Sequence, residues 1–228
     1  VHRTRIKICG VCRAEDAAAA AHAGADAIGM VFHRESHRFV EIDEAKRIVA
    51  AVPAFVSRVG VFVDPEKDEI YQALALLLLS TVQLHGDETP DMIRRLRPLR
   101  IIKALRTDRS ELELWKRSIA NGEVDNLVGI ILETADTGVP GGSGVANDWE
   151  AIAALQSEGT FEGLPPLILA GGLTPENVGD IVRRFKPFAV DVSSGVESGR
   201  RQKDREKIEA FIKAVHKADH DIAKHHHH

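Results

Sequence analysis

The chain has 228 residues, 44% of them hydrophobic and 28% charged, with a formal net charge of −4. This suits one well-buried globular domain or two small ones, and a slightly acidic balance gives no footprint for nucleic acid. No apolar run approaches the roughly 18 residues of a membrane span; the longest, Ala73 to Leu79, reads as the buried end of a helix. There is no secretory signal, and two cysteines spaced Cys-x-x-Cys make no disulfide framework, so a cytoplasmic location is expected. His225 to His228 read as an affinity tag ending a tail over residues 220–228, and enter no metal argument.

The first predicted strand, Arg3–Cys9, sets the terms. Its alternation puts Arg5, Lys7 and Cys9 on one face and Ile6 and Ile8 on the other. A face with two cations and a thiol belongs in a lined cavity, and Gly10 breaks the strand with Cys9 at its C-terminal end. Further strands are predicted at Ala27–Phe32, Ser57–Val63, Thr81–Leu84, Arg100–Ala104, Leu127–Leu132, Pro166–Ala170 and Ala189–Val192. Helices are predicted at Arg13–Ala23, Asp43–Ala51, Pro65–Leu79, Pro90–Leu96, Ser110–Ala120, Trp149–Leu155, Pro175–Phe185 and Arg201–Ala218. Asp64-Pro65, Thr89-Pro90 and Thr174-Pro175 each set a capping side chain before a proline at the first helical position. Eight alternating units without a linker predict an α/β fold, a single (β/α)8 barrel over residues 1–219. A doubly wound sheet would carry a nucleotide fingerprint after strand one, and Cys9-Gly10-Val11-Cys12-Arg13 is none.

Polar and glycine-rich loops collect after the strands, at one end of this barrel, which argues for catalysis there. Gly171-Gly172 and Ser193-Ser194-Gly195 follow strands seven and eight, where barrels often hold a substrate phosphate on backbone N–H groups. Glu133 ends the apolar run Ile130-Ile131-Leu132, which would hold its carboxylate rigidly at the mouth, with Asp136 close behind. Arg38 reads equally as a surface arginine, and His85 as a packed or hydrogen-bonded histidine. The Cys9/Cys12 pair admits redox or zinc readings, but the architecture is not thioredoxin-like and no second cysteine pair exists.

Lys7-Ile-Cys-Gly10, Gly24-Ala-Asp-Ala-Ile-Gly29, Val82-Gln-Leu-His-Gly86, Gly141-Gly-Ser-Gly144, Gly171-Gly-Leu173 and Asp191-Val-Ser-Ser-Gly195 occur in that order. From Lys7 to about Ile212 the chain resembles the phosphoribosylanthranilate isomerase family of tryptophan biosynthesis. The resemblance implies a cofactor-free barrel that binds no metal and acts on a small phosphosugar, as monomer or homodimer. Its reaction is an Amadori rearrangement of N-(5′-phosphoribosyl)anthranilate to the aminoketose. It implies Cys9 as general base, Arg38 on the anthranilate carboxylate, and Asp191 near the sugar hydroxyls. Lys7, His85 and Gly142 are implied substrate contacts, and Gly171, Gly172, Ser193, Ser194 and Gly195 the phosphate grip. The family usually has aspartate where this chain has Glu133, so Glu133, or else Asp136, is the expected acid. A glutamate shifts the carboxyl by about 1.5 Å, and a misplacement of about 1 Å can cost on the order of a hundredfold.

Two sister readings remain. The histidine-pathway aminoaldose isomerase relies on aspartates at strands one and five, where this chain has Cys9 and Ala104. A non-catalytic phosphate-binding or redox barrel is the other. A thiol near pKa 8.5 must be shifted to serve as base, and Lys7 and the first helix are expected to favour thiolate. Barrel closure sets strand eight beside strand one, which predicts a Lys7–Asp191 ion pair.

Overall fold

The computed structural model describes residues 3–133 and 148–225. Eight parallel strands close into one barrel: β1 (Arg5–Ile8), β2 (Ala27–Val31), β3 (Ser57–Phe62), β4 (Thr81–Leu84), β5 (Ile101–Arg106), β6 (Leu127–Glu133), β7 (Leu167–Leu169) and β8 (Ala189–Val192). The intervening helices are α1 (Ala14–Ala23), α2 (Ile42–Ala50), α3 (Lys67–Leu77), α4 (Pro90–Arg95), α5 (Arg109–Ala120), α6 (Trp149–Ser157) and α7 (Val178–Phe185), and α8 (Arg205–His225) closes the chain. Between β8 and α8 lies an antiparallel ribbon absent from the sequence reading, β9 (Glu197–Gly199) with β10 (Gln202–Lys203).

Strand alternation divides the interior. Ile6, Ile8, Ile28, Met30, Leu84 and Val190 join the buried helices in the outer layer, where Phe211 of α8 is fully buried. The opposite faces of β5 to β8 give a small inner core of Ala104, Ile131, Ile168, Ala170 and Ala189. Lys7, Gln83 and Asp191 are buried on strands as well, so the barrel centre is oily on one side and polar on the other.

The helix starts show where local sequence decides and where it does not. Thr89 caps α4 as predicted, accepting from the Met92 N–H, with Pro90 in the first turn. Asp64 does not cap α3. Its carboxylate is engaged by the Asp87 N–H at 2.7 Å, and α3 starts later from a capping box of Glu66 and Glu69. Thr174 likewise forms a turn: its N–H donates to Asn177 Oδ1 at 2.8 Å, and α7 begins only at Val178. The run Ala73–Leu79 is not buried throughout, because Leu76 and Leu78 are exposed while Ala73, Leu77 and Leu79 face the core. Helix α8 passes residue 219 and continues to His225. Asp219 accepts from both the N–H and the hydroxyl of Thr4 at 2.8 and 2.7 Å, and Ile222 is buried.

Candidate active site

Cys9 sits one residue past β1, its N–H donating to Val192 O of β8 at 2.8 Å; beyond it, the Val11 N–H donates to Gly29 O of β2 at 3.0 Å. The β1–β8 register pairs Lys7 with Asp191, and the predicted ion pair forms at 2.8 Å between two buried side chains. Burial opposes the charged form of Lys7, but Asp191 and Cys9 outweigh it and hold the ammonium well above its ordinary range. Gly29 makes room for this group: a Cβ there would lie 2.9 Å from Cys9 Sγ and 3.1 Å from Lys7 Cε.

The expected thiolate is not what this environment favours. Burial pushes the Cys9 thiol up, Lys7 pulls it down, and Asp191 pushes it up again, with a net rise. Lys7 has already committed its charge to a carboxylate that also bears on the sulfur. Helix α1 begins only at Ala14 and carries Glu15 and Asp16 in its first turn, which offset its dipole. Both cysteines are free thiols. Cys12 is buried, its Sγ 3.6 and 3.4 Å from the carbonyls of Gly10 and Arg38, packed against backbone.

Arg38 is buried, not a surface arginine. Its Nε and Nη2 donate to the two oxygens of Glu197 at 2.8 and 3.0 Å, a bidentate pair. Gly10, at φ 67°, lies beneath it: a Cβ would fall 2.3 Å from Arg38 Cδ and 2.9 Å from Ser193 Oγ. Only a residue without a side chain lets Arg38 and Ser193 approach the end of β1 so closely.

On the facing wall, the His85 N–H is pinned to Phe62 O at 2.8 Å, and Glu133 O accepts from Thr107 at 3.0 Å. His85 Nε2 lies 2.8 Å from Glu133 Oε2, and its Nδ1 lies 3.2 Å from Gln83 Nε2. A carboxylate oxygen only accepts, so the Nε2–H of His85 is donated to Glu133. Burial would raise the Glu133 carboxyl, but the bond and charge of His85, with Lys7 and Lys103, hold it below its ordinary value. Behind this wall Lys103 and Glu88 form a buried pair at 3.0 Å. Lys103 also donates to Gly86 O at 2.7 Å, fixing the loop that follows His85. Asp136 and Gly142 lie outside the described residues.

The glycine loops pack against one another. Gly171 and Gly172 adopt φ of 86° and 65°, and Asn177 donates to Gly172 O at 2.8 Å. A Cβ on Gly195 would sit 1.9 Å from Leu173 O, so the loop after β8 lies directly on the loop after β7.

The structure thus gathers Lys7, Cys9 and Asp191 on one wall, with Arg38 and Ser193 beside them, and His85 with Glu133 on another. Sequence reasoning passed over Gln83, Glu197, Lys203 and the Lys103–Glu88 pair. Lys103 carried a usable signal, a cation inside the apolar run Ile101-Ile102-Lys103-Ala104-Leu105; Glu197 and Lys203 sit in a polar stretch that reads as solvated.

Comparison with known proteins identifies the family. Residues 6–214 match the profile of the family described as N-(5′-phosphoribosyl)anthranilate (PRA) isomerase. The N-(5′-phosphoribosyl)anthranilate isomerase of Pseudomonas fluorescens SBW25 is 46% identical over 212 residues, 92% of this chain and 95% of that one. The enzyme of Pseudomonas aeruginosa UCBPP-PA14 is 45% identical over 212 residues, 92% of this chain and 94% of that one. The crystal structure of phosphoribosyl anthranilate isomerase from Thermotoga maritima superposes with a TM-score of 0.80 at 38% identity, covering 94% of this chain and 99% of that one. Another crystal structure of this enzyme, in complex with reduced 1-(o-carboxyphenylamino)-1-deoxyribulose 5-phosphate, superposes at 0.77 with 35% identity and covers 94% and 99%. This chain therefore belongs to the N-(5′-phosphoribosyl)anthranilate isomerase family.

Proposed function

We propose that the barrel mouth carries out the family's isomerisation of N-(5′-phosphoribosyl)anthranilate, with Cys9 as general base and Glu133 as general acid. Glu133 gives its proton to the ribose ring oxygen, the bond from that oxygen to C1′ breaks, and the anthranilate nitrogen becomes an iminium. Cys9 thiolate takes the C2′ proton, the electron pair moves into a C1′–C2′ double bond, and the enolamine tautomerises to the aminoketose.

The free protein favours a thiol at Cys9 and a carboxylate at Glu133. The reactive pair is thiolate and carboxylic acid, which holds the same number of protons and the same charge. One proton must therefore move from one wall to the other.

The observation that carries this reading is Asp191. Its Oδ2 holds Lys7, while Oδ1 is buried with no hydrogen-bond partner among the described residues. A buried unsatisfied acceptor costs about 1–3 kcal/mol, and a ribose hydroxyl would satisfy it beside the base. Arg38 takes the anthranilate carboxylate. Gly171, Gly172, Ser193, Ser194 and Gly195 hold the phosphate on loops whose glycines allow close backbone approach. His85 orients Glu133, and Lys7 orients Asp191. The enzyme works on this phosphosugar without nucleic acid or membrane, in the cytoplasm, as monomer or homodimer; among the described residues no helix is long and apolar enough to cross a membrane. Enzymatically generated substrate should lose its anthranilate fluorescence on addition of the protein, and an unchanged signal would refute the reading.

A further inference from the structure

The β9–β10 ribbon brings Lys203 back beneath the loop after β8, where it is buried. Its ammonium donates to Ser193 O at 3.0 Å, Ser193 Oγ at 3.3 Å and Glu197 Oε1 at 2.9 Å. The Lys203 N–H donates to Asp16 Oδ2 at 3.0 Å, anchoring the ribbon to α1. Burial pulls the ammonium down, and Glu197 opposes this.

These bonds lead in three directions. Through Glu197, Lys203 braces the carboxylate that grips Arg38 at two points. Through Ser193 Oγ, which itself donates to Cys9 O at 3.1 Å, it reaches the end of β1. Through Ser193 O it fixes a peptide plane. In a trans peptide the carbonyl and the following N–H point in opposite directions, so holding Ser193 O sets the direction of the Ser194 N–H. All three ammonium hydrogens are used inside the protein, which leaves Lys203 no substrate contact of its own.

We propose that Lys203 is a positioning residue that sets both anion grips of the mouth together, the Arg38 guanidinium and the Ser193–Gly195 loop. This rests on the reading of those groups as the carboxylate and phosphate contacts. A general packing role would weaken both grips whichever member of the network is changed, whereas this arrangement is branched: the Glu197 carboxylate grips Arg38 directly but reaches Ser193 only by way of Lys203, and Glu197→Gln keeps an oxygen that accepts from that ammonium.

Calorimetric titration of the full-length protein with inorganic phosphate and, separately, with benzoate tests the branching. Lys203→Met is expected to weaken both probes by at least tenfold and to raise KM for the aminoaldose by a larger factor than it lowers kcat. Glu197→Gln is expected to weaken benzoate at least tenfold and leave phosphate within about twofold. Should Lys203→Met not fold, Lys203→Gln, which also leaves the Arg38–Glu197 pair balanced and keeps a polar tip, serves instead and is expected to weaken both probes. Loss of one probe only, or of neither, in a folded Lys203 variant overturns the proposal, as does equal loss of both in Glu197→Gln. Arg38→Met separates the underlying reading: unchanged benzoate binding there refutes the carboxylate assignment itself.

Discussion

The two walls of the mouth solve opposite problems by different means. On the β8–β1–β2 side, opposite charges pair inside the wall: Lys7 with Asp191 and Arg38 with Glu197 across long stretches of chain, and Lys203 with the same Glu197 across the β9–β10 ribbon. The thiol among them gains little, because each cation is already committed and burial dominates. On the β4–β6 side Glu133, the proposed acid, ends a polar chain that runs from Gln83 through His85, and its carboxyl is held below its ordinary value. One wall is an ionic frame of three cations and two carboxylates around a thiol, and the other is a carboxylate on an imidazole. Under the proposed roles, each wall holds its reactive group in the form opposite to the one the chemistry uses, so the proposed mechanism requires a proton to cross between them.

Chemical removal of either reactive group should have the largest effect. Cys9→Ala and Glu133→Gln are each expected to lower kcat by about 10²–10⁴ with the fold retained, measured by the fluorescence assay and circular dichroism. Asp136→Asn should lose far less than Glu133→Gln, and the reverse ranking would transfer the acid to Asp136. Breaking the ionic frame comes next. Lys7→Met leaves Asp191 buried and unpaired, which should cost about 3–5 kcal/mol, lowering Tm by about 2–4 °C per kcal/mol. The Lys7→Met/Asp191→Asn double variant should recover most of that loss, and a double variant no more stable than the single one would show the pair is not what stabilises.

Smaller shifts test the electrostatics. In a Cys12→Ala background, iodoacetamide should alkylate Cys9 slowly at neutral pH. Asp191→Asn should speed alkylation several-fold, since Asp191 raises the thiol, and Lys7→Met should slow it, since Lys7 lowers it. The opposite order would remove the ionic frame from the account. The mildest effect is on acid stability. The Glu133 and Glu197 carboxyls are depressed in the folded protein, so their contribution is present above the ordinary value of 4.5 and lost as pH falls through the folded value. The urea midpoint should decline in that window, and less so in His85→Asn, which lacks the bond that depresses Glu133.

Much of the fold was legible. β4 and β8 fall where hydrophobic alternation puts them, and Lys7 and Asp191 meet because closing an eight-strand barrel makes β8 the second neighbour of β1, beside β2. The cap at Thr89 was legible too, because a cap is local chemistry. Asp64 was not, since its carboxylate answers to an N–H 23 residues away. The β9–β10 ribbon was hidden because two short polar strands carry no periodic apolar signal.

The sequence alone determined the barrel, the strand ends that carry Cys9, His85 and Glu133, and which side chains share an inward face, because periodicity and turn residues act over a few positions. Only the tertiary structure decided the direction in which the Cys9 thiol and the Glu133 carboxyl are shifted, the burial of Arg38 and the reach of Lys203 to Ser193. Those depend on desolvation and on charges brought within a few ångströms by strands remote in the chain, and no local pattern encodes such distances.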